Sequence, residues 1–417
     1  MKPRKTPLFL MLLIAGFASC KKAGTTPAAN KINEGKSLVL TPLDEQKVTA
    51  DNAFSLKLFK NLDSANAGGG NLFVSPLSVS FALGMTSNGA AGQTLTAFQN
   101  TLNFAGLTQA QVNSYYNNLI TNLPQLDPNT TLNIANSIWY KQGFSVQPLF
   151  LQTDSINFRA QIQGLDFASP SAVNTINNWV NNKTSGKIPT ILTSIPSNAV
   201  MYLINAMYFK STWKESFDAT QTKPMQFYLA NNTTVQTDFM TGTIDFNYYT
   251  DLKANVYELP YSNSKYSMVI VTPASGNTLS QLAAGLTPSQ WQTWMTNLQH
   301  SKSSFTMPKF TFSCTDTLNN PLTKMGLGIA FSDGADFSLI NPTQQLKISQ
   351  VLHKTFVDVD ESGTTAAAAT SVGVVTSVVV AGYNPIINQP FIFTIREMGS
   401  GIILFVGVVN NPTLTGN

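Results

Sequence analysis

Residues 361–382 read Glu-Ser-Gly-Thr-Thr-Ala-Ala-Ala-Ala-Thr-Ser-Val-Gly-Val-Val-Thr-Ser-Val-Val-Val-Ala-Gly, and no charged residue follows Glu361 in this segment. The segment begins with small residues and ends in β-branched residues, which favour β-strands. Such a segment pairs readily with an open sheet edge, and natural proteins usually interrupt it with charge or proline. Because this one is uninterrupted, its composition predicts that its role is to join a sheet.

The amino terminus has the layout of an export signal. A basic region, Lys2–Lys5, precedes an apolar run from Leu8 to Phe17 and the small residues Ala18 and Ser19. The apolar run is too short to span a membrane as a folded helix. This order predicts a signal peptide over residues 1–19.

Cys20 is the residue predicted to carry a lipid, because a cysteine directly after Ala-Ser resembles a bacterial lipoprotein cleavage site. Residues 20–45 are mostly polar and small without periodicity, which predicts a flexible tether. We expect an exported protein, lipid-anchored in the bacterial cell envelope and otherwise free of the membrane. Plain secretion with an incidental Cys20 is the alternative. Removal of residues 1–19 leaves a net charge of +1, so no nucleic-acid partner is predicted.

The rest of the chain predicts one α+β domain over residues 46–412. Hydrophobic residues make up 43% of the sequence, enough for a large core, and no internal linker or repeat interrupts it. Helical periodicity is found over 51–62, 77–90 and 318–325. Strand-like segments rich in β-branched and aromatic residues are found over 131–140, 200–209, 266–272, 304–312, 346–360 and 402–409.

The chain offers little material for catalysis. Its histidines are His300 and His353, and its only cysteine besides Cys20 is Cys314, which we interpret as a small buried hydrophobe. No Gly-x-Ser-x-Gly elbow, His-Glu-x-x-His zinc motif or phosphate-binding glycine loop occurs. Asp358 and Asp360 alternate with Val359 and form a carboxylate pair, but a solvated strand edge is the favoured interpretation. The sequence therefore predicts no enzyme, no cofactor and no metal.

Seven sequence motifs occur in a fixed order over residues 51–412. The motifs are Asn71-Leu-Phe-Val-Ser-Pro-Leu-Ser-Val-Ser-Phe-Ala-Leu, Asn178-Trp-Val-Asn-Asn-Lys-Thr-Ser-Gly-Lys-Ile, Leu203-Ile-Asn-Ala-Met-Tyr-Phe-Lys-Ser-Thr-Trp, Met307-Pro-Lys-Phe, Val351-Leu-His-Lys with the segment quoted above, Pro390-Phe-Ile-Phe-Thr-Ile-Arg and Gly407-Val-Val-Asn-Asn-Pro. With these motifs in this order, the chain resembles the serpins, serine protease inhibitors of the suicide type. The resemblance implies a monomeric single-domain serpin fold with three β-sheets, eight or nine helices and an exposed reactive loop over 361–385.

The resemblance also implies two groups of residues around the point where the main sheet opens. A polar sheet-opening cluster is expected from Ser75, Ser78, Asn205 and His353. An ion pair between Lys309 and Glu361 is expected beside Trp213, at the top of the opening. Read from the residues alone, His353 would be an ordinary core histidine of a strand.

The hinge of the reactive loop is expected to enter the main sheet as a new strand. It comprises Glu361, Gly363, Thr364, Ala366, Ala367, Ala368, Ala369 and Thr370. In a strand, Thr364, Ala366, Ala368 and Thr370 share one face, and small side chains there avoid overpacking the core. Thr365 departs from the glutamate that inhibitory members often carry, and we expect it to face outward. The alanine run predicts an active inhibitor; a non-inhibitory serpin acting as a binding module is the alternative.

The scissile bond is expected at Ser377-Val378. Counting from Glu361 places it there, whereas counting back from Pro390 places it at Val379-Val380, so Val375, Thr376 and Val379 remain alternatives. Because these residues are small or β-branched and no basic residue is near, a trypsin-like target is disfavoured. The segment predicts an elastase-like serine protease as partner, with a papain-like cysteine protease as alternative.

Overall fold

The computed structural model describes residues 1, 35–66, 69–364 and 383–416. Residues 34–417 form one compact unit. Its helices are α1 (Pro42–Ala65), α2 (Pro76–Ser87), α3 (Gly92–Thr101), α4 (Gln109–Asn122), α5 (Pro148–Phe158), α6 (Pro170–Lys183), α7 (Leu279–Gly285), α8 (Pro288–Thr296) and α9 (Asn319–Leu322). None of the described helices is long and apolar enough to cross a membrane.

Fourteen strands are found among the described residues. They are β1 (Leu72–Val74), β2 (Thr131–Lys141), β3 (Gln161–Leu165), β4 (Met201–Thr212), β5 (Lys223–Tyr228), β6 (Thr234–Thr250), β7 (Ala254–Pro260), β8 (Tyr266–Pro273), β9 (Gln299–Pro308), β10 (Phe310–Thr317), β11 (Leu352–Asp360), β12 (Gly363–Thr364), β13 (Phe391–Glu397) and β14 (Ile403–Val409).

The strands form two hydrogen-bonded networks. One is a six-stranded sheet in the order β10-β11-β12-β4-β2-β3, called here the main sheet. The other has eight strands in the order β1-β14-β13-β8-β7-β6-β5, with β9 paired to β6. The long strand β6 pairs with β5 over residues 234–239, with β9 over 239–248 and with β7 over 247–250. Two of the three expected sheets are therefore continuous through β6.

The hydrophobic core lies between the two networks. Phe73 of β1 stacks on Phe393 of β13 and on Phe405 of β14, with ring centroids 5.3 and 5.1 Å apart. Phe312 of the main sheet meets the edge of Phe73 at 6.4 Å. Buried aromatic side chains of this size dominate core energetics, so this cluster ties the two networks together.

Helix α6 covers the opposite face of the main sheet, where a second cluster forms. Trp139 of β2 packs edge-on against Trp179 of α6, with ring centroids 6.0 Å apart. Ile204 and Ala206 of β4 belong to the same cluster. Both faces of β4 are thus covered, one by the main core and one by α6.

The first helix begins earlier than predicted. The sequence predicted it over 51–62 and placed residues up to 45 in the tether, but α1 begins at Pro42. Thr41 and Asp44 form a capping box, in which each side chain accepts the other's backbone N–H, and Pro42 occupies the first helical position. These local signals start a helix before its apolar face begins, so periodicity alone missed its first turns.

Three further predicted elements have different boundaries. The predicted strand over 304–312 is two strands, because the chain passes at Lys309 from β9 in the eight-stranded network to β10 in the main sheet. The predicted strand over 346–360 begins only at Leu352. The predicted helix over 318–325 is the short α9 followed by a wider turn over 323–327, where Gly326 has a φ of +117°.

Candidate functional site

The main sheet has an opening between β4 and β11. No ladder joins these two strands among the described residues; β12 is the strand that pairs with both. Gly363 and Thr364 lie opposite Thr212 and Ser211 on one side and opposite Asp360 and Val359 on the other. The first residues of the predicted hinge are therefore already a strand at one end of this opening.

Gly363 allows the chain to approach β4 closely. A Cβ atom on this residue would lie 2.0 Å from the carbonyl oxygen of Ser211 and 2.7 Å from the Cα atom of Thr212. Its φ of +155° is also a backbone conformation that side chains rarely adopt. Only glycine fits here, which explains why the hinge starts with this residue.

Thr364 shows which face of the hinge points to the core. Its side chain is buried, and its hydroxyl group forms a 2.5 Å hydrogen bond with the hydroxyl of Tyr261. On β11 the residues that share this buried face are His353, Thr355, Val357 and Val359. The predicted alternation of the hinge thus starts in the expected phase at Thr364.

Trp213 lies directly beside β12. Its indole Nε1 donates to the carbonyl oxygen of Asp360 at 2.9 Å, and its backbone N–H donates to Ser362 O at the same distance. Its ring stacks on Tyr261 with centroids 4.7 Å apart. The turn that leads from β11 into β12 is therefore held by Trp213 on two backbone groups.

The expected ion pair between Lys309 and Glu361 is present. Lys309 Nζ lies 2.8 Å from Glu361 Oε2, and the hydroxyl of Thr222 donates to Glu361 Oε1 at 2.6 Å. Burial alone would raise the pKa of Glu361, but the hydrogen bonds from Lys309 and Thr222 hold it below its ordinary value. Because Lys309 sits where the chain passes between the two networks, the pair ties the hinge to that crossing.

The sheet-opening cluster contains two hydrogen-bonded pairs. The backbone N–H of Ser75 donates to His353 Nε2 at 3.0 Å, which assigns the imidazole proton to Nδ1. The Ser75 hydroxyl donates to the carbonyl oxygen of Leu404 at 2.8 Å and also caps α2 by accepting from Ser78 N–H. In the second pair, the hydroxyl of Ser78 bonds to Asn205 Oδ1.

The two edges of the opening are thus held from below by one turn of α2. Ser75 binds His353 of β11, and Ser78, one turn later, binds Asn205 of β4. Burial lowers the pKa of His353 to about 4, so the imidazole is neutral at physiological pH. The structure brings the four predicted residues together; their role in sheet opening stays a prediction.

A cavity of about 410 Å³ adjoins this cluster at the end of the opening away from β12. Ser78, Asn205 and His353 line it together with residues 344–352 and 198–204. Buried polar groups are normally hydrogen-bonded, and a cavity of this size next to exchangeable polar partners allows the strands to move. The cavity therefore lies between the two strands that no described ladder joins, β4 and β11.

Sequence reasoning missed three residues that complete these contacts. Asn136 accepts a hydrogen bond from Asn205 Nδ2 at 2.7 Å and is itself buried. Tyr261 binds Thr364 and stacks on Trp213, and Thr222 binds Glu361. Asn136 had a signal, since an amide in the middle of a strand pattern implies a buried partner. Tyr261 and Thr222 had none, because both are distant from the hinge in the chain.

Of the remaining predicted residues, Asp360 lies beside β12, and the others lie away from the opening or outside the described residues. Cys314 is buried and its pKa is raised to about 12 by burial, as expected of an inert core thiol. Asp358 accepts a hydrogen bond from Thr311, and Asp360 accepts two from the turn before β12. No group of three or more metal-ligating side chains is found in the described part of the chain. Outside it lie Cys20, Ala366, Ala367, Ala368, Ala369, Thr370, Val375, Thr376, Ser377, Val378 and Val379.

The described structure is an α+β domain whose main sheet has a two-residue strand, β12, between β4 and β11. The family model described as serpin (serine protease inhibitor) matches residues 49–412. The chain therefore belongs to the serpin family and has its α+β, single-domain fold. It is a protease inhibitor and not a catalytic enzyme, and its partner is a protease.

Individual relatives cover most of the chain. Leukocyte elastase inhibitor from pig (Sus scrofa) is 33% identical over 88% of this chain and 100% of its own length. Among solved structures, the thermophilic serpin tengpin in its native state is 32% identical with a TM-score of 0.81, covering 90% of this chain and 96% of tengpin. Human thyroxine-binding globulin is 28% identical with a TM-score of 0.80, covering 89% of this chain and all of that structure.

Proposed function

We propose that this protein is a suicide-substrate inhibitor of elastase-like serine proteases, which it traps by inserting its cleaved loop into the main sheet. The observation that carries the proposal is β12. Its two residues pair with both β4 and β11, and the chain continues from Thr364 into the alanine run. Insertion then extends a strand that already exists.

The observed register predicts where each inserted residue would lie. Extending the pairs Thr364–Ser211 and Thr364–Val359 places Ala366 between Phe209 and Val357, Ala368 between Met207 and Thr355, and Thr370 between Asn205 and His353. Phe209 and Met207 belong to the main core, which leaves room only for small side chains beside them. Thr370 would reach the sheet-opening cluster, where its hydroxyl can exchange hydrogen bonds with Asn205 and His353.

The proposed reaction begins as ordinary proteolysis. The serine Oγ of the protease attacks the carbonyl carbon of Ser377, and its proton passes to the protease histidine. The bond to Val378 N breaks, that nitrogen leaves as an amine with the transferred proton, and Ser377 stays bound as an ester. Insertion of residues 365–377 then carries the esterified protease along the sheet by roughly 40 Å, at about 3.3 Å per residue.

The residues around the proposed bond favour an elastase-like target. Positions 370–381 contain no Arg, Lys or aromatic residue, so a pocket with a carboxylate at its base finds no partner. Small aliphatic pockets fit Ser377 and its valine neighbours. A papain-like cysteine protease is the alternative target, in which a thioester at the same carbonyl replaces the ester.

A panel of elastase, papain and trypsin tests the proposal. We expect an SDS-stable complex with elastase, a cut at Ser377-Val378 found by mass spectrometry, and a higher unfolding temperature after cleavage. Thyroxine-binding globulin, a structure solved with thyroxine bound, favours a binding module as the second candidate. Complete turnover of the loop with no complex and no gain in thermal stability would support that candidate instead.

We propose further that the protein is a monomer exported and lipid-anchored at Cys20. The support is the order of basic, apolar and small residues before that cysteine. Wild-type protein should partition into the detergent phase, whereas Cys20→Ala protein should not. Equal partitioning of the two proteins would leave plain secretion as the explanation.

A further inference from the structure

The chain that returns from the reactive loop carries an exposed apolar surface. Tyr383 and Ile386 are 42% and 52% exposed, and Tyr228 at the end of β5 is 53% exposed. The backbone N–H of Tyr228 donates to the carbonyl oxygen of Asn388 at 2.8 Å, which places β5 beside this segment. We call the three side chains Tyr228, Tyr383 and Ile386 the return strip.

The return strip is held rigidly on the eight-stranded network. The backbone N–H of Thr306 in β9 donates to the carbonyl oxygen of Pro385, and the carbonyl oxygen of Thr306 accepts from Ile387 N–H. The segment therefore runs along the edge of β9. The ring of Tyr383 stacks on Tyr248 with centroids 5.4 Å apart, and its hydroxyl lies 2.9 Å from that of Tyr257. The six residues 383–388 span at most about 16 Å.

The residues around the return strip have a composition typical of protein–protein interfaces. Residues 383–390 and 226–234 contain no charged residue and no histidine, and they contribute two tyrosines and four asparagines. Interface cores lack charge and are enriched in tyrosine, and rigid tyrosines bind with little loss of conformational entropy. An exposed apolar surface that needed only solubility would carry lysine or glutamate.

Tyr383 and Ile386 of the strip follow closely in the chain after residues 371–380 of the reactive loop, which we call the bait, and this place in the sequence indicates the occupant of the strip. Protease–inhibitor interfaces use about 20–30 residues on each side, more than the ten residues 371–380 can supply. The protease must therefore contact the body of the inhibitor beside the loop. On the hinge side Gly363 and Thr364 are buried in the main sheet, whereas on the return side the strip is exposed.

We infer that the return strip is a docking surface for the target protease during the encounter with the uncleaved loop. The inference rests on the proposed function, because a docked protease needs a loop to cleave. Since insertion carries the protease away from β9, the contact forms before cleavage and is lost afterwards. The strip therefore sets the rate of association and leaves the efficiency of trapping unchanged.

The test compares wild-type protein with a Tyr228→Ala, Ile386→Ala double variant and a Leu149→Ala control. Leu149 is 73% exposed on α5, which packs against α2, α4 and β3. We expect the double variant to associate with elastase about tenfold more slowly, with an unchanged stoichiometry of inhibition and unfolding temperature. Leu149→Ala should match wild type.

Equal association rates for all three proteins would overturn the inference, as would a raised stoichiometry at an unchanged rate. If elastase cleaves the loop without forming a complex, the proposed function fails, and the strip is then judged on kcat/KM for loop cleavage. A tenfold lower value in the double variant would support docking, and equal values would exclude it.

Discussion

The eight-stranded network and the main sheet share one core, but their central strands are paired to different extents. Strand β13 pairs with β8 and β14 along its whole length, and every residue of these three strands is buried. Strand β11 pairs fully with β10, yet on its other side it meets β12 only at Val359 and Asp360. The central strands of the eight-stranded network are paired on both sides, whereas β11 of the main sheet has, within the described part of the chain, backbone groups without a strand partner on the side that faces β4.

The difference assigns separate roles to the two networks. A fully paired, fully buried strand can move only by breaking its ladder and exposing apolar surface, so the eight-stranded network supplies global stability. The edges of β4 and β11 gain hydrogen bonds and buried area when a strand enters between them. In the proposed mechanism the eight-stranded network keeps its pairing, whereas the main sheet gains a strand.

The largest effect should follow a change in the eight-stranded network. Phe393→Ala removes a fully buried ring that stacks on Phe73, and we expect it to lower the free energy of unfolding by about 3–5 kcal/mol in urea denaturation. The stoichiometry of inhibition of the protein that remains folded should not change. A shift from inhibition to loop cleavage in this variant would contradict the division between the two networks.

The second effect is a pH dependence caused by His353. Its pKa is about 4 in the folded protein and about 6.5 when unfolded, so below pH 6.5 the unfolded chain binds the proton first. The contribution of the neutral imidazole to the free energy of unfolding is complete above pH 6.5. As the pH falls below 6.5 this contribution declines by about 1.4 kcal/mol per pH unit, so that about 3 kcal/mol has been lost near pH 4.

Comparison of wild type with His353→Gln isolates this contribution. Burial raises the pKa of Asp316, which lies opposite His353 on β10, to about 6, and its protonation acts in the opposite direction over a similar range. Because Asp316 is common to both proteins, the difference between their unfolding curves reports His353. A difference that stays constant between pH 7 and pH 4 would show that the imidazole is not buried in its neutral form.

The third effect concerns the hinge. Ala366→Arg places a charge on the hinge face that insertion would bury between Phe209 and Val357, at a cost of about 2 kcal/mol or more, which slows insertion roughly 30-fold. Released protease should then exceed trapped protease in a stoichiometry assay. Thr365→Arg is the matched control, since the adjacent residue of a strand faces the other way. If both variants inhibit equally, the predicted alternation of the hinge is wrong.

The smallest effect should come from the ion pair above the opening. Lys309 is partly exposed, so Lys309→Met should cost less than about 1 kcal/mol and speed spontaneous loop insertion by at most fivefold or so. Because the pKa of Glu361 is held low, the contribution of this carboxylate is present above pH 4.3 and is lost as the pH falls below that value. The measurement is the half-life of inhibitory activity at moderate temperature.

Much of the site could be predicted because its residues belong to contiguous motifs. Ser75 and Ser78 lie together in a cap-and-helix pattern, and Gly363 with the alanine run announces a strand of small residues. Tyr261 and Thr222 could not be predicted, since their partners Thr364 and Glu361 are brought to them only by the packing of distant segments. The division of 304–312 into two strands escaped prediction for the same reason, because its alternation continues unbroken while its partners change.

By itself the sequence determined the family, the α+β class, the small-residue face of the hinge and the absence of basic residues from the bait. These are properties of neighbouring residues, and local composition and period 2 alternation encode them. Only the tertiary structure decided that β12 already pairs with β4 and β11, that one turn of α2 binds both edges of the opening, and that an uncharged strip flanks the loop. Pairing, burial and exposure depend on which segments meet in space, and that is set by the packing of the whole domain.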